Sequence, residues 1–544
     1  MLYFIPAWYQ QNQWCENEQS WTVRRMHTEF DDTVKQIQLF HRSKACPYQI
    51  MLLSFAPNFR HFLHRQGLYH APYWSCFDAM QEVKRKKAVV LSFHNLKWPQ
   101  GIEFVYTPFV VLGMLNKKKY AQIEFGEDGN PIRIDLYREG QLQRRNIYDD
   151  RGFVSSTILY EKEKPLYQDY LMENGMWKLR HFPEDGHVEI NPRCPYYLLQ
   201  YQEKMQEKQF SSFTYDNLEQ VLYEILVSYL ELTDKQDIFC AAMHSQHARL
   251  LGRALKGKKQ ILSFFEDRYP PKAHPESFLM INNADYLVTD SKRNAGQLQQ
   301  ECRLPLQNLM VIPPYDSRVD ASISGQFAVQ KLLVPVDNLE EALFEEIIGF
   351  LGNYLEINEN ARIHLFTRRA EYDRKQRILE QARIALKNAG LEERWAAEEE
   401  QEYVSENNLD QTETIPVKFF AEQCVDELSV SKCMREQRLL VDLRKMPEMY
   451  LQITAISIGI PQIVRTKTEF VEHGRNGIVI KKIEELTEPL EYYLKGLQGW
   501  NQARVCSYEL VKEYTTERLL EKWGKVMDRV GGNSHLTAGR RRLE

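Results

Sequence analysis

Two stretches of the chain decide its fold: residues 459–464 read GIPQIV, and residues 469–479 read EFVEHGRNGIV. Gly459 ahead of Pro461 is the pattern of a helix end, because glycine readily adopts the left-handed conformation that closes a helix and proline cannot continue one. The apolar run Gln462–Val464 then predicts a buried strand. The glycines of the second stretch predict a turn that leads into a further strand.

The same alternation of short apolar runs and amphipathic stretches extends through most of the chain, which is typical of parallel α/β sheets. We expect one unit over residues 1–104 and 195–325 and another over residues 326–500. The predicted strands of the first unit are Leu2–Ile5, Ile50–Phe55, Ala88–Phe93, Ile238–Ala242, Gln260–Phe264, Tyr286–Thr289 and Met310–Ile312. Those of the second unit are Lys331–Val336, Arg362–Phe366, Pro416–Phe420, Arg438–Asp442, Gln462–Val464 and Gly477–Ile480.

Residues 105–194 interrupt the first unit and have a different character. Turn signals that contain Gly129, Gly140 and Gly152 lie 11 and 12 residues apart, and such signals recur farther along the stretch. The Thr, Tyr, Ile and Val residues between the turns suit pleated strands. This spacing predicts an antiparallel meander of hairpins inserted into the first unit.

Three local expectations concern helices. Asp216 is predicted to cap a helix with an apolar face, and the polar run Glu393–Asn408 to be a charged helix end followed by a loop. Residues 501–530 are predicted to form one long amphipathic helix, from about Gln502 to Arg529, that packs back on the fold. The tail 531–544 is predicted to be disordered.

Composition excludes several classes of protein. The 544 residues include 70 Lys and Arg against 75 Asp and Glu, and this near balance argues against nucleic-acid binding, which relies on a basic surface. Nine cysteines without a CxxC pair indicate reduced thiols in a cytoplasm rather than a disulfide framework. The start of the chain lacks the basic region of a signal peptide, and no apolar run approaches the roughly 18 residues that span a bilayer.

Four segments in order carry a resemblance to a known superfamily. Residues 284–291 read ADYLVTDS and residues 311–316 read VIPPYD. Together with the two stretches quoted first, they resemble characteristic segments of retaining GT-B glycosyltransferases. The resemblance implies a GT-B-like α/β fold, in which two Rossmann-like domains face each other across a cleft and the antiparallel meander extends the first domain.

The positions that would hold a nucleotide-sugar donor depart from that superfamily. Its two donor-binding glutamates, eight residues apart on one helix, correspond to Met446 and Thr454 when counted back from Gly459. Its arginine, just after the first strand of the second unit, falls near Asp337, whose carboxylate would repel a diphosphate. Glu469 matches a further position near the donor, but a single carboxylate is not assigned a catalytic role.

Two more features point the same way. The glycine-rich loop expected after the first strand is replaced by Pro6–Tyr9, which includes two bulky aromatic residues. Glu448 lies about 200° around the helix from Met446, and we interpret it as a solvated charge of the first helical turn. The resemblance therefore implies a degenerate donor site, with no catalytic residue, no metal and no cofactor.

Two other kinds of residue group, a Cys/His group and two basic clusters, are interpreted as structural or surface features. Cys240, His244 and His247 fall within eight residues, but a zinc site would need a fourth ligand, so we interpret them as loop or core residues. The basic clusters Lys84–Lys87 and Lys117–Lys119 are interpreted as solvated surface. An anionic partner or a lipid headgroup is the alternative for these clusters.

The opening string MLYFIPAWY, followed by Trp14 and Trp21, is distinctive. With the insertion and the altered donor site, the whole chain resembles the glycosyltransferase-like member of the accessory Sec system, which exports serine-rich-repeat glycoprotein adhesins. The resemblance implies a cytoplasmic protein, with peripheral contact at the inner face of the plasma membrane left open. The implied partners are other accessory Sec proteins, the accessory SecA ATPase and the glycosylated adhesin, and no nucleic acid.

On this interpretation the chain scaffolds partner proteins and helps deliver the adhesin, without catalysing a reaction. One alternative is a non-catalytic subunit of a heterodimeric O-GlcNAc transferase that acts on the same adhesins. Another is an active retaining glycosyltransferase that uses a UDP-sugar. The cleft and the exposed strand edges of the insertion could also receive an extended serine-rich segment as an added strand.

Overall fold

The computed structural model of the chain describes residues 1–10, 13–15, 30–302, 308–317, 321–399, 401–405 and 408–531, and for residues 401–414 it describes the backbone alone. Trp21 and the tail from residue 532 lie outside the described residues, so the expectations for them stay predictions.

The strands of the described residues are, in chain order, β1 (Leu2–Ile5), β2 (Tyr48–Leu52), β3 (Tyr73–Ser75), β4 (Glu103–Tyr106), β5 (Val111–Leu115), β6 (Lys118–Phe125), β7 (Pro131–Arg138), β8 (Gln141–Asp149), β9 (Phe153–Glu161), β10 (Lys164–Leu171), β11 (Trp177–His181), β12 (Val188–Ile190), β13 (Tyr196–Tyr201), β14 (Lys204–Gln209), β15 (Thr214–Tyr215), β16 (Ile238–Ala242), β17 (Lys259–Phe264), β18 (Tyr286–Thr289), β19 (Leu309–Val311), β20 (Gln330–Pro335), β21 (Ala361–Thr367), β22 (Gln401–Ser405), β23 (Asn408–Ile415), β24 (Phe419–Gln423), β25 (Leu439–Asp442), β26 (Gln462–Val464) and β27 (Gly477–Val479). The α-helices are α1 (Asp32–Ser43), α2 (Phe59–Arg65), α3 (Cys76–Met80), α4 (Leu218–Leu230), α5 (Ser245–Ala254), α6 (Ser277–Asn283), α7 (Lys292–Cys302), α8 (Glu341–Ile357), α9 (Arg374–Asn388), α10 (Glu427–Glu436), α11 (Met449–Ile458), α12 (Thr487–Leu494), α13 (Gln498–Leu510) and α14 (Thr516–Gly531).

The first parallel sheet has the strand order β19-β18-β17-β16-β1-β2-β3. In β1, Leu2 pairs with Ile238 of β16 on one side and with Tyr48 of β2 on the other. Every residue of β1 is buried, as expected for a strand whose sheet is covered on both faces. Its side chains therefore divide between two apolar cores, one on each face of the sheet.

The predicted strand Ala88–Phe93 is wrong. Residues 88–92 form an exposed connection in which the Val90 side chain is 86% exposed. The edge of the sheet is instead formed by β3, a strand of three residues whose Trp74 stacks on Tyr229 with 4.1 Å between the ring centroids. Leu91 and Phe93 of the predicted strand pack instead in the apolar cluster of the meander, so tertiary packing overrides strand propensity here.

The second parallel sheet has the order β24-β21-β20-β25-β26-β27. Gly459 ends α11 in the left-handed conformation, with φ +77°, as its sequence context predicts. A Cβ atom at Gly477 would lie 2.4 Å from the carbonyl oxygen of Gln462, so only glycine fits where β26 and β27 pair. The two stretches that predicted the fold therefore act through helix termination and close strand contact.

The predicted antiparallel meander is present as a sheet in the order β15-β12-β11-β10-β9-β8-β7-β6-β5-β4. The turn glycines at positions 129, 140, 152, 175 and 186 all have φ between 79° and 84°, which non-glycine residues rarely adopt. Antiparallel pairing in this sheet begins at Glu103 in β4 and ends at Tyr215 in β15. The sheet therefore includes a strand beyond the predicted limit at residue 194. A separate hairpin, β13–β14, also lies beyond that limit.

The carboxyl-terminal segment ties the two units together. The predicted single helix from Gln502 to Arg529 is wrong: α13 and α14 are separated by a 3-10 turn at Val511–Tyr514, because Thr515 is in an extended conformation. Helix α13 buries Trp500 against the second unit, whereas α14 returns to the first unit. There Trp523 meets Phe40 edge-on at 5.8 Å.

Two other local predictions need correction. Asn217, not Asp216, caps α4, because its extended backbone lets the side chain accept a hydrogen bond from the amide of Gln220. The polar run Glu393–Asn408 contains a 3-10 turn at Glu393–Trp395 and strand β22, which pairs with β23, rather than a helix end and a loop.

Among the described helices, none is both long and apolar enough to cross a lipid bilayer.

Candidate functional site

The carboxyl ends of both parallel sheets open onto one cleft, with a volume of about 1610 Å³. The first sheet contributes the segments after β1, β17 and β18, and the second sheet contributes those after β20, β21, β25 and β26. Open α/β sheets bind ligands at this end of their strands, because the connecting loops leave a crevice there. The cleft is therefore the candidate functional site.

The segment after β1 carries two buried aromatic rings. Trp8 Nε1 donates a hydrogen bond to Asp31 Oδ1 at 3.0 Å, and its ring lies 4.7 Å from that of Phe62. The Tyr9 ring packs edge-on against His247 at 5.4 Å. Both residues, Trp8 and Tyr9, line the cleft where it meets the end of β1.

His244, which precedes α5, and His247, in the first turn of α5, are held by hydrogen bonds within the first domain. His247 is fully buried, and its Nε2 lies 2.6 Å from the carbonyl oxygen of Ala242, so Nε2 carries the proton and Nδ1 accepts from the Tyr9 hydroxyl at 2.9 Å. His244 Nδ1 accepts from the amide of Gln246 at the start of α5. Burial lowers the pKa of His247 to about 3 and that of His244 to about 4, so both rings are neutral at pH 7.

Cys240, the third member of that constellation, is buried in the core of the first sheet. Across the described part of the chain, no three His, Cys, Asp or Glu side chains are grouped so that they could hold a metal ion.

An acidic cluster with one arginine forms the floor of the cleft on the side of the first domain. The Arg268 guanidinium donates to both carboxylate oxygens of Asp32, at 2.6 and 3.1 Å, and lies 3.3 Å from Asp31. Burial, with the neighbouring charge of Asp32, raises the pKa of Asp31 to about 6. The arginine is thus neutralised by the protein's own carboxylates and cannot offer its full charge to an anion.

Two further carboxyl groups lie beside this cluster. Asp290 accepts hydrogen bonds from the Glu266 amide at 2.6 Å and from the Asn294 amide group at 2.7 Å, and burial raises its pKa to about 6. Glu266 is exposed to water inside the cleft, yet the enclosing walls and the nearby Asp290 raise its pKa to about 7. The floor therefore has more carboxyl groups than arginines, which disfavours a diphosphate next to it.

On the second domain, Asp337 is held by its own neighbours. Its carboxylate accepts from the Thr367 hydroxyl at 2.7 Å, the Arg368 amide at 2.8 Å and the Arg374 guanidinium at 3.0 Å. These bonds fasten the loops after β20 and β21 to each other. Asp337 lines the cleft, but its hydrogen-bonding capacity is used within the domain.

Met446 and Thr454, the positions that match the two glutamates, do not lie in the same place: Met446 lines the cleft and Thr454 does not. Met446 lines the cleft, is 38% exposed and contacts the guanidinium of Arg293 from the first domain. Thr454 lies one turn into α11, where its hydroxyl donates to the carbonyl oxygen of Tyr450 at 2.7 Å. The cleft is lined on this helix by Met449 and Gln452 rather than by Thr454.

Glu448, predicted to be a solvated charge, is instead paired. Its carboxylate meets the Arg368 guanidinium and lies 3.8 Å from that of Arg444, and only 16% of its side chain is exposed. Arg444 also makes two hydrogen bonds to Asp442, at 2.8 and 2.7 Å. The prediction is wrong because the loop after β21 brings Arg368 to the start of α11, which the local sequence does not reveal.

Direct contacts join the two domains across the cleft. Glu469 accepts a hydrogen bond from the backbone amide of Lys292, the first residue of α7, at 2.8 Å. The Arg368 guanidinium lies over the ring of Phe30 at 3.5 Å, a cation–π contact. Tyr450 meets the same phenylalanine edge-on at 4.9 Å. Of the sequence-predicted positions, Asp337, Met446 and Glu469 share the cleft, and Thr454 does not.

Comparison with known proteins supports the same fold. The crystal structure of the pneumococcal O-GlcNAc transferase GtfA in complex with UDP and GlcNAc is 11% identical, with a TM-score of 0.66 over 97% of this chain and 98% of that chain. This likeness concerns the fold alone and confirms the predicted GT-B-like architecture.

Closer relatives cover nearly the whole chain. Accessory Sec system protein 1 of Streptococcus gordonii is 29% identical over 531 residues, which make up 96% of this chain and 98% of the relative. A crystal structure of accessory secretory proteins 1, 2 and 3 in Streptococcus pneumoniae matches at 28% identity and a TM-score of 0.79, covering 98% of this chain and 100% of that chain. The family model for accessory Sec system protein 1 matches residues 1–530, and the chain therefore belongs to that family.

Proposed function

We propose that this protein is a non-catalytic, glycosyltransferase-like component of the accessory Sec translocation system. In this proposal it scaffolds partner proteins and helps deliver a glycosylated serine-rich-repeat adhesin for export. The observation that supports this proposal most directly concerns Asp337 and Glu469, which match positions near the donor in the superfamily. Their carboxylates make hydrogen bonds within the protein. Asp337 fastens two loops of the second domain, and Glu469 joins the second domain to α7 of the first.

The rest of the cleft supports the absence of sugar transfer. A retaining transferase needs cations or helix amides that stabilise the departing nucleotide diphosphate. Here Arg268, Arg368 and Arg444 each pair with carboxylates of the protein. Met446 and Thr454 supply no charge where the superfamily places its two glutamates.

The partner proposal draws on the relatives. One solved structure of a related chain is named for accessory secretory proteins 1, 2 and 3, and another is named as the glycosylation-associated Gap123 complex from Streptococcus agalactiae. We infer that this chain likewise assembles with other accessory Sec proteins. The accessory SecA ATPase, the adhesin and a cytoplasmic location with peripheral contact at the membrane belong to the same proposal and rest on the family resemblance.

The outer edge of the meander is a candidate contact surface for this assembly. Among the described pairs, β4 bonds only to β5, so its other edge is open. Val105, Tyr106 and Phe109 at this edge are 47%, 64% and 63% exposed. An open edge with apolar side chains is suited to an added strand from a partner.

Affinity capture of the tagged chain from a cytoplasmic extract of the cells that produce it, followed by mass spectrometry, tests the assembly. We expect accessory Sec components to be enriched over a tag-only control. Enrichment of a catalytic glycosyltransferase without those components would overturn the proposal in favour of the transferase-subunit alternative.

A second assay tests the absence of catalysis. The purified chain is incubated with UDP-GlcNAc, and released UDP is measured against a protein-free blank. We expect no release above the blank. Turnover that disappears in the Glu469→Gln variant would identify an active transferase and contradict the proposal.

A further inference from the structure

A second cavity, of about 470 Å³, lies at the opposite end of β1 from the cleft. Its lining includes Met1 and Tyr3 at the start of that strand, whereas the cleft is lined by the residues that follow its end. The other walls come from α2, from the segment after α3 and from the β13–β14 hairpin. The proposed function makes no use of this cavity.

The walls of this cavity are basic. Arg60, His64, His70, Lys84 and Lys86 all line it, and none of their side chains makes an ion pair or a side-chain hydrogen bond to another described residue. The lining includes a single carboxylate, that of Asp78, among the described residues. Both of its oxygens are already bound by the Arg151 guanidinium, at 2.7 and 2.8 Å. Arg60 also interacts electrostatically with Asp150, which lies outside the lining, so the unpaired positive charge of the walls is that of Lys84 and Lys86.

The floor of the cavity is aromatic and contains buried donors without acceptors. The aromatic residues are Tyr3, Tyr48, Tyr73, Trp74 and Tyr201. Trp74 is 95% buried, and its indole N–H has no hydrogen-bond partner in the described part of the chain. The Nη1 atom of Arg60 is also buried without a partner there. Neither atom has surface open to the cavity, so the floor offers a ligand its aromatic faces rather than these two donors.

We propose that this cavity binds a phosphate ester whose phosphate is attached to a ring-shaped or apolar body. Arginine and lysine together are the usual partners of a phosphate, and Arg60, Lys84 and Lys86 all line this cavity. The aromatic floor can pack against the body of the ligand. Lys84 and Lys86 belong to the basic run Lys84–Lys87, so the ligand also accounts for that cluster.

Calorimetric titration of the full-length chain with AMP at low ionic strength tests the site. We expect saturable binding, which Arg60→Gln weakens about tenfold or more because it removes the guanidinium. The paired change Lys84→Gln and Lys86→Gln should weaken binding severalfold. The matched control is Lys117→Gln with Lys118→Gln, which removes the same charge from the exposed turn after β5 and from the first residue of β6 and should leave binding unchanged.

Two further ligands identify the source of the phosphate. Binding of AMP or inorganic phosphate that depends on Arg60 indicates a soluble ligand. Binding only to vesicles that contain phosphatidylglycerol, and not to phosphatidylcholine vesicles, with the same dependence on Arg60, indicates a lipid headgroup. The proposal is overturned if none of these probes binds, or if Arg60→Gln and the paired lysine change behave like the control. Thermal melting of each variant checks that it is folded, and the lysine pair decides the question if Arg60→Gln is not.

Discussion

The Glu469 carboxylate accepts the backbone N–H of Lys292, so a side chain of the second domain satisfies one of the unpaired amides at the start of α7 in the first domain. A negative charge at the start of a helix is stabilised by the helix dipole, and the bond also joins the two walls of the cleft. The carboxylate that resembles a donor-site residue is thereby a structural contact between domains.

Replacing Glu469 should lower stability rather than any catalytic rate. We expect Glu469→Ala to lower the free energy of unfolding by about 1–2 kcal/mol, the usual range for a lost helix-capping interaction, and Glu469→Gln to lower it by less. Urea denaturation followed by tryptophan fluorescence measures the change. Glu509→Ala is the control, since Glu509 is 60% exposed and pairs only with the exposed Arg475 among described residues. Equal stability of Glu469→Ala and the control would contradict this role.

Arg368 should contribute more to the free energy of unfolding than its neighbour Arg369. Arg368→Met leaves the largely buried Glu448 with only the more distant Arg444 and removes the contact with Phe30, so we expect a loss of about 2–3 kcal/mol. Arg369 is 46% exposed, and Arg369→Met should cost less than about 0.5 kcal/mol. Urea denaturation compares the two variants. A loss of the same size for both would show that the Glu448 pair contributes little.

The sequence was informative where a local pattern determines the structure. β1 and β16 are continuous apolar runs because both faces of their sheet are covered, and that pattern is visible without the fold. The turn glycines of the meander are equally visible, because their positive φ values exclude most other residues. The edge strand β3 has only three residues, too few for any periodicity, and packing on Tyr229 positions it.

The candidate site was less predictable, since its contacts join distant segments. Arg368 and Glu448 are 80 residues apart in sequence, and Lys292 and Glu469 are 177 apart. Residue types at matched positions indicated a changed donor site. They could not show that Asp337 and Glu469 are occupied by partners of the same chain, because those partners are chosen by the packing of two domains.

Glu266 should make the protein less stable as the pH rises. Its pKa is about 7 in the folded chain and near its ordinary value, 4.5, in the unfolded chain, so at intermediate pH the folded state binds the extra proton. The stability gained from this bound proton is therefore fully present below about pH 4.5 and is lost as the pH rises to about 7. At pH 8, Glu266→Gln should be more stable than the original chain by about 1 kcal/mol, a value reduced for screening by water in the cleft.

Urea denaturation of both proteins at pH 5 and pH 8 checks this expectation, and the advantage of Glu266→Gln should shrink at pH 5. Glu203→Gln, at the exposed turn between β13 and β14, is the control and should show no difference at either pH. An advantage of equal size at both pH values would mean that the Glu266 charge is not the cause.

Placing glutamates at positions 446 and 454 should not give the chain sugar-transfer activity. In Met446→Glu with Thr454→Glu, the new side chain at 454 replaces one whose hydroxyl bonds back to its own helix, and the acidic floor formed by Asp31, Glu266 and Asp290 still repels a diphosphate. We expect no UDP release from UDP-GlcNAc above that of the matched pair Met446→Gln with Thr454→Gln. Both pairs are made in a chain that also carries Arg60→Gln, so that phosphate binding at the second cavity does not affect the measured release. Thermal melting checks that each variant is folded. Release by the glutamate pair alone would mean that these two positions, and not the acidic floor or the rings of Trp8 and Tyr9, are what prevents catalysis.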